Sequence, residues 1–127
     1  MRDILPPDSA RWRMLHNIFA NVAESAGYGE IKTPLIEDLG VFARIGDATD
    51  VVTKEMYTFA DRSGDMITLR PEGTAGVVRA ALQNGLLYGP MRRLWYSGPM
   101  FRYERPQKGR LREFFQWNID IIDIEDQ

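Results

Sequence analysis

Residues 94–122 read LWYSGPMFRYERPQKGRLREFFQWNIDII, and their pattern decides the fold. Leu94 to Glu104 and Glu113 to Ile122 read as two strands, joined by Arg105-Pro-Gln-Lys-Gly-Arg-Leu-Arg112. That connection is long for a hairpin turn and strongly basic, and loops beyond simple-turn length are often functional. Alternate residues of a strand share a face. On the second strand, Glu113, Phe115, Trp117, Ile119 and Ile121 form a mainly apolar face, which should pack on a helix. The other face is Arg112, Phe114, Gln116, Asn118 and Asp120. An ordinary solvent face carries Lys, Glu or Thr. Amides and a carboxylate beside an aromatic ring look more like a ligand floor, where a base stacks and polar groups fix orientation. Arg102 and Glu104 share a face on the first strand. The first offers a planar fork to phosphate or carboxylate, and the second can accept from an exocyclic amine. The competing reading is a solvated face of surface ion pairs.

Charge supports the hairpin as a binding element. The chain of 127 residues has net charge −2, which argues against a general nucleic-acid binder. Yet seven bases and one acid, Glu104, lie between Arg92 and Arg112, whereas five acids and no base follow from Glu113 onward. A basic loop on a neutral body fits a compact polyanion such as a nucleotide; a solvated charged turn is the bland alternative.

Outward from the hairpin, the chain reads as one α+β domain with an ordinary globular balance. It has no cysteine, which excludes disulfides, thiol nucleophiles and Cys-based metal sites, and a lone His16 makes no zinc site. No metal site is expected. Without an apolar leader or a membrane-length run, the sequence predicts a soluble cytoplasmic protein. Pro6-Pro7, then Asp8 and Ser9 as capping side chains, start a helix of about 18 residues with Trp12, Leu15, Phe19, Val22 and Ala26 as its apolar stripe. Gly27 ends it. His16, beside the stripe, reads as a packed or surface residue. Glu30 to Thr33 is a short strand stopped by Pro34, and Gly46 to Asp50 is a loop. Met56 to Ala60 and Met66 to Arg70 pair around the turn Asp61-Arg62-Ser63-Gly64. Thr74 can cap a helix with Val77, Val78, Ala81 and Leu82 as apolar members, ended by Gly85. The fold class is α+β: an antiparallel β-sheet with helices against one face.

GPMFRYERPQKGRLREFFQ at 98–116 resembles motif 2 of class II aminoacyl-tRNA synthetases, and its RPQKGR version resembles the histidyl-tRNA synthetase family. MRDILPPDSARWR at 1–13, FARIGDATDVVTKEMYTF at 42–59 and TLRPEGTAGVVRA at 68–80 agree, in the right order. The helix and strand ending at Pro34 (about 8–34) resemble motif 1; motif 2 covers about 94–122. The resemblance implies a partial class II catalytic domain over residues 1–127. Motif 3 with its ATP-binding arginine and the anticodon-binding domain would not be among them.

The site roles follow from the resemblance alone. Arg102 is implied as the catalytic arginine contacting the α-phosphate and the histidine carboxylate. Glu104 is implied to read the adenine amine, Arg110 to clamp the β- and γ-phosphates, and Phe114 to stack on adenine. Glu72, Thr74 and Gln116 match the group holding the α-amino group of histidine, and Asp120 the acid facing its imidazole. Asp120 is one methylene shorter than the Glu of many bacterial members, and Phe115 stands where many relatives have His. The implied activity is that of a histidine–tRNA ligase: ATP with Mg²⁺ activates histidine to the adenylate, and the acyl group passes to tRNA(His). This fragment would be weakly active and would bind the tRNA acceptor end weakly. Motif 1 implies a homodimer. The alternatives are a non-catalytic histidine-sensing regulatory module, which needs no phosphate clamp, and an inert structural fragment.

Overall fold

The computed structural model describes residues 2–43, 54–104 and 107–123. The expected loop at 46–50, much of the 42–59 segment and the start of the basic connection (105–106) lie outside the described residues. In chain order the elements are α1 (Asp8–Ser25), β1 (Gly29–Glu30), β2 (Ile36–Asp38), α2 (Leu39–Ala43), β3 (Thr58–Ala60), β4 (Met66–Leu69), α3 (Thr74–Gln83), β5 (Arg92–Phe101) and β6 (Glu113–Ile122).

The expected α+β class holds, with a different layout. Two three-stranded sheets form, ordered β1-β5-β6 and β2-β4-β3. The first is not wholly antiparallel, because β1 runs parallel to β5. The β5–β6 hairpin dominates it, in unbroken register from Arg92 opposite Ile122 to Phe101 opposite Glu113. Helices cover both faces of this hairpin rather than one. On one face, Trp95 is 1% exposed beneath His16 and Phe19 of α1, whose rings lie 5.9 Å from it. Burying a side chain of this size contributes about 1.5–3 kcal/mol or more. On the other face, Tyr96 and Met100 pack against Val77 of α3.

α1 turns a different stripe to the sheet from the one expected. Trp12, His16, Phe19 and Ala23 face inward, whereas Leu15, Val22 and Ala26 are exposed. The helix is apolar on more than one side, so spacing alone does not select the buried one. Trp12 stacks on Trp117 at 5.7 Å and meets Phe115 edge-on at 5.2 Å, so the apolar face of β6 does pack on a helix at that end. Ile119 and Ile121, farther along, are exposed. No side chain caps α1: Pro7 holds the N-cap position, and Asp8, already inside the helix, accepts from Arg11. The strand expected over 30–33 is only Gly29–Glu30, although the Ile31 amide still reaches the Trp95 carbonyl at 2.9 Å. Of the expected apolar members of α3, Val77 and Ala81 are buried, with Ala75 beside them, whereas Val78 and Leu82 are exposed.

Arg70 joins the two sheets. Its backbone bonds Leu35 and Phe101, and its buried guanidinium donates to the carbonyls of Pro99 and Thr33 and to Thr33 Oγ1. Burial lowers its pKa from the ordinary arginine value, while the negative charge of Glu37 pulls the other way. Gly98 leaves room for this guanidinium, which an added Cβ there would press upon.

The β3–β4 turn is as expected. Asp61 accepts from the Ser63 amide and hydroxyl and from the Asp65 amide, and Gly64 takes a φ of +91°. The Ser63 hydroxyl bond, followed by the backbone bonds, holds the Asp61 carboxyl below its ordinary pKa. A depressed folded pKa stabilises above the unfolded value and is lost as pH falls through the folded one. The stability deficit of Asp61→Ala should therefore be largest at neutral pH and shrink on acidification through the carboxylate range. Denaturant melts of both proteins across that range provide the check.

Candidate functional site

The polar face of β6 forms a half-buried floor. Phe114, Gln116, Asn118 and Asp120 stand in line opposite Met100, Gly98, Tyr96 and Leu94 of β5. Six residues of strand separate the first from the last, a reach of about 20 Å. That length accommodates a nucleotide and an amino acid end to end.

Arg102 and Phe114 make one end. β5 stops at Phe101, so Arg102 and Glu104 lie just past the strand rather than on its face as expected. Arg102 turns back: its Nε donates to the Pro71 carbonyl at 2.9 Å, and its guanidinium lies 5.3 Å from the centre of the Phe114 ring. The bond to Pro71 ties the hairpin to the turn before α3. Glu104 is half-buried, and its carbonyl accepts from Arg112 Nε, whose guanidinium lies over the Tyr103 ring at 4.0 Å. Arg110 is exposed on the tight turn 107–110, where its amide bonds the Gln107 carbonyl and Gly109 takes a φ of +83°. The guanidinium–ring contact brings Arg102 and Phe114 together, and Arg110 stands apart at the tip.

The other end gathers around the start of α3. Thr74 was expected to cap this helix, but Glu72 does so. Its two carboxylate oxygens accept the amides of Thr74 and Ala75 at 2.6 and 3.0 Å. A carboxylate at this place also meets the positive end of the helix dipole. Thr74 is thereby released to the floor, where its hydroxyl lies 3.1 Å from the Tyr96 hydroxyl and donates to Asp120 Oδ1 at 3.4 Å. The Asn118 amide donates to the Tyr96 hydroxyl at 2.7 Å. Burial raises the Tyr96 pKa above the ordinary tyrosine value, against the pull of its bonds to Thr74 and Asn118. Asp120 Oδ2 is buried and has no hydrogen-bond partner. A buried acceptor in that state is costly unless a donor reaches it. Gln116 lies between the two ends.

The sequence reading places Asn118 on the ligand floor without a role of its own and passes over Tyr96 as a site residue. Tyr96 sits in an apolar stretch of β5, and the signal available was its place on the same face as Gly98 and Met100. His16 is a packed residue, its Nδ1 3.2 Å from Ser97 Oγ on the opposite face of the sheet. Among the described residues no group of three His, Cys, Asp or Glu could hold a metal ion, and no helix is long and apolar enough to cross a membrane.

Known proteins share this fold. The crystal structure of apo S. aureus histidyl-tRNA synthetase superposes with a TM-score of 0.76 at 38% identity, over 94% of this chain and 27% of that one. A Bacillus halodurans protein described as an ATP phosphoribosyltransferase regulatory subunit/histidyl-tRNA synthetase superposes with a TM-score of 0.79 at 24% identity, over 94% and 30% of the respective chains. That second likeness is one of fold. The fold is that of an aminoacyl-tRNA synthetase catalytic core. The family model for histidyl-tRNA synthetase matches residues 1–126, and the chain belongs to that family. It spans less than a third of the length of either solved relative.

Proposed function

We propose that this chain carries the histidine- and ATP-binding floor of a class II histidyl-tRNA synthetase and activates histidine as its adenylate. The observation that carries the proposal is the line from Phe114 to Asp120, with an arginine at one end and an unpartnered buried carboxylate oxygen at the other. Adenine stacks on Phe114 with its amine toward Glu104, which brings the α-phosphate to Arg102. Arg110, at the tip of the connection, reaches the outer phosphates. Histidine lies toward Asp120, its imidazole N–H supplying the donor that Oδ2 lacks. Its amino group meets Thr74, Gln116 and Glu72, whose oxygens each retain acceptor capacity beyond the amides they bind.

The histidine carboxylate attacks the α-phosphorus, and pyrophosphate leaves. Positioning and charge neutralisation do the work, with no protein nucleophile. Mg²⁺ neutralises phosphate charge when bound. It would arrive with ATP and would need few protein ligands. The acyl group then passes to the acceptor end of tRNA(His), which this chain contacts weakly. The cytoplasm is the compartment of this reaction, and pairing through the α1 region gives a homodimer.

Calorimetric titration with ATP and histidine, separately and together, tests the reading. Binding of both, each tightened by the other, is expected. Histidine binding with no ATP binding would instead support a sensing module, the second use associated with this fold.

A further inference from the structure

Nothing in the reaction just described uses Tyr96 or Asn118, yet Tyr96 is bonded to Thr74 at the histidine end and Asn118 is bonded to Tyr96. The bonds have a direction. The Asn118 amide nitrogen is only a donor, and it occupies an acceptor position of the Tyr96 oxygen at 2.7 Å. The Tyr96 proton is then free to point at Thr74 Oγ1, 3.1 Å away, and the Thr74 proton goes on to Asp120 Oδ1. Burial keeps the Tyr96 hydroxyl protonated and so able to donate. The ring itself is buried and packs directly on Gly73, where an added Cβ would collide with it.

We propose that Asn118 and Tyr96 are positioning residues that polarise this relay, so that Thr74 and Asp120 turn only acceptors toward the ligand and select an amino acid rich in N–H donors. The relay rests on the functional reading above. With the Thr74 proton committed to Asp120, the open lone pairs of both residues require donors. A protonated amino group and an imidazole N–H supply them. An amino acid whose side chain offers only an acceptor leaves Asp120 Oδ2 unpaired, which discriminates strongly because the unpaired group is buried.

Two variants test this by titration with histidine and with ATP. Tyr96→Phe removes the middle of the relay. Asn118→Asp keeps the ring but puts an acceptor where the donor stood, so the Tyr96 proton turns away from Thr74. Both should weaken histidine binding by about tenfold or more, while ATP affinity is unchanged. The second variant discriminates by sign, since added negative charge alone would tighten binding of an amino acid carrying cationic groups. Unchanged histidine affinity in Tyr96→Phe, or tighter binding in Asn118→Asp, overturns the relay while leaving the functional reading intact. Joint loss of ATP and histidine binding in Asn118→Asp marks a merely structural role and also overturns it. Failure of the unaltered chain to bind histidine overturns both.

Discussion

Arg102→Ala should lower histidine-dependent exchange of pyrophosphate into ATP by about 10²–10³-fold, the loss typical of removing one preorganised donor to developing charge. Arg102 is held before any ligand arrives. Its Nε is fixed by the Pro71 carbonyl, and its plane lies beside the Phe114 ring, so its outer nitrogens need little reorganisation to meet a phosphate. Arg102→Lys should recover little, because an ammonium lacks both the fork and the Nε that reaches Pro71. The substitution also frees the turn before α3, where Glu72 and Thr74 stand, so histidine affinity should fall together with turnover. Exchange rates measured over a range of histidine concentrations separate the two effects. A loss confined to ATP affinity would contradict the placement of Arg102 between the two substrates.

The largest effect on stability is expected at a different arginine. Arg79 of α3 meets Glu37 of β2 in an ion pair that is largely shielded from water. Arg79 Nη2 donates to Oε1 at 2.9 Å, and Nε lies 2.9 Å from Oε2 without aiming its hydrogen at it. The Glu37 side chain is 6% exposed and that of Arg79 23%. Arg79→Met strands a carboxylate in the interior and should cost about 3 kcal/mol or more. Replacing both residues with apolar side chains of similar volume should restore only part of that, because the buried Arg70 guanidinium then loses the Glu37 charge. Urea unfolding of the single and double variants measures both. A single-variant loss below about 1 kcal/mol would place the pair with ordinary surface salt bridges. The pair also holds α3 against the second sheet, and through α3 the turn that presents Glu72 and Thr74.

These cases show which parts of the molecule are legible in a one-dimensional reading. The hairpin is legible because strand periodicity sorts side chains in pairs. Phe114, Gln116, Asn118 and Asp120 could share a face only if the strand were regular, and β6 is regular over the expected Glu113–Ile122. The β3–β4 turn is legible because Asp61 and Gly64 act within a few residues of each other. The buried side of α1 is not, since Leu15, Ile18 and Val22 are as apolar as the stripe that packs inward, and only the position of the sheet chooses. The cap of α3 is misread for a non-local reason. Thr74 and Glu72 both suit a helix start, and the choice turns on Tyr96, 22 residues away, drawing the threonine hydroxyl to the floor. The Glu37–Arg79 pair and the Arg70 cross-links span separations of 29 to 42 residues, so no local pattern announces them. The ends of the floor were legible as residue types. Their joining through Tyr96 and Asn118 needed the register of β5 against β6.

Pyrophosphate exchange into ATP, run with the purified chain against each of the twenty amino acids, tests the proposed activity most directly. Exchange that depends on histidine, exceeds that with the other nineteen and is lost in Arg102→Ala is the expected result. Exchange at the level of the amino-acid-free control with histidine present, from a folded preparation, would contradict it.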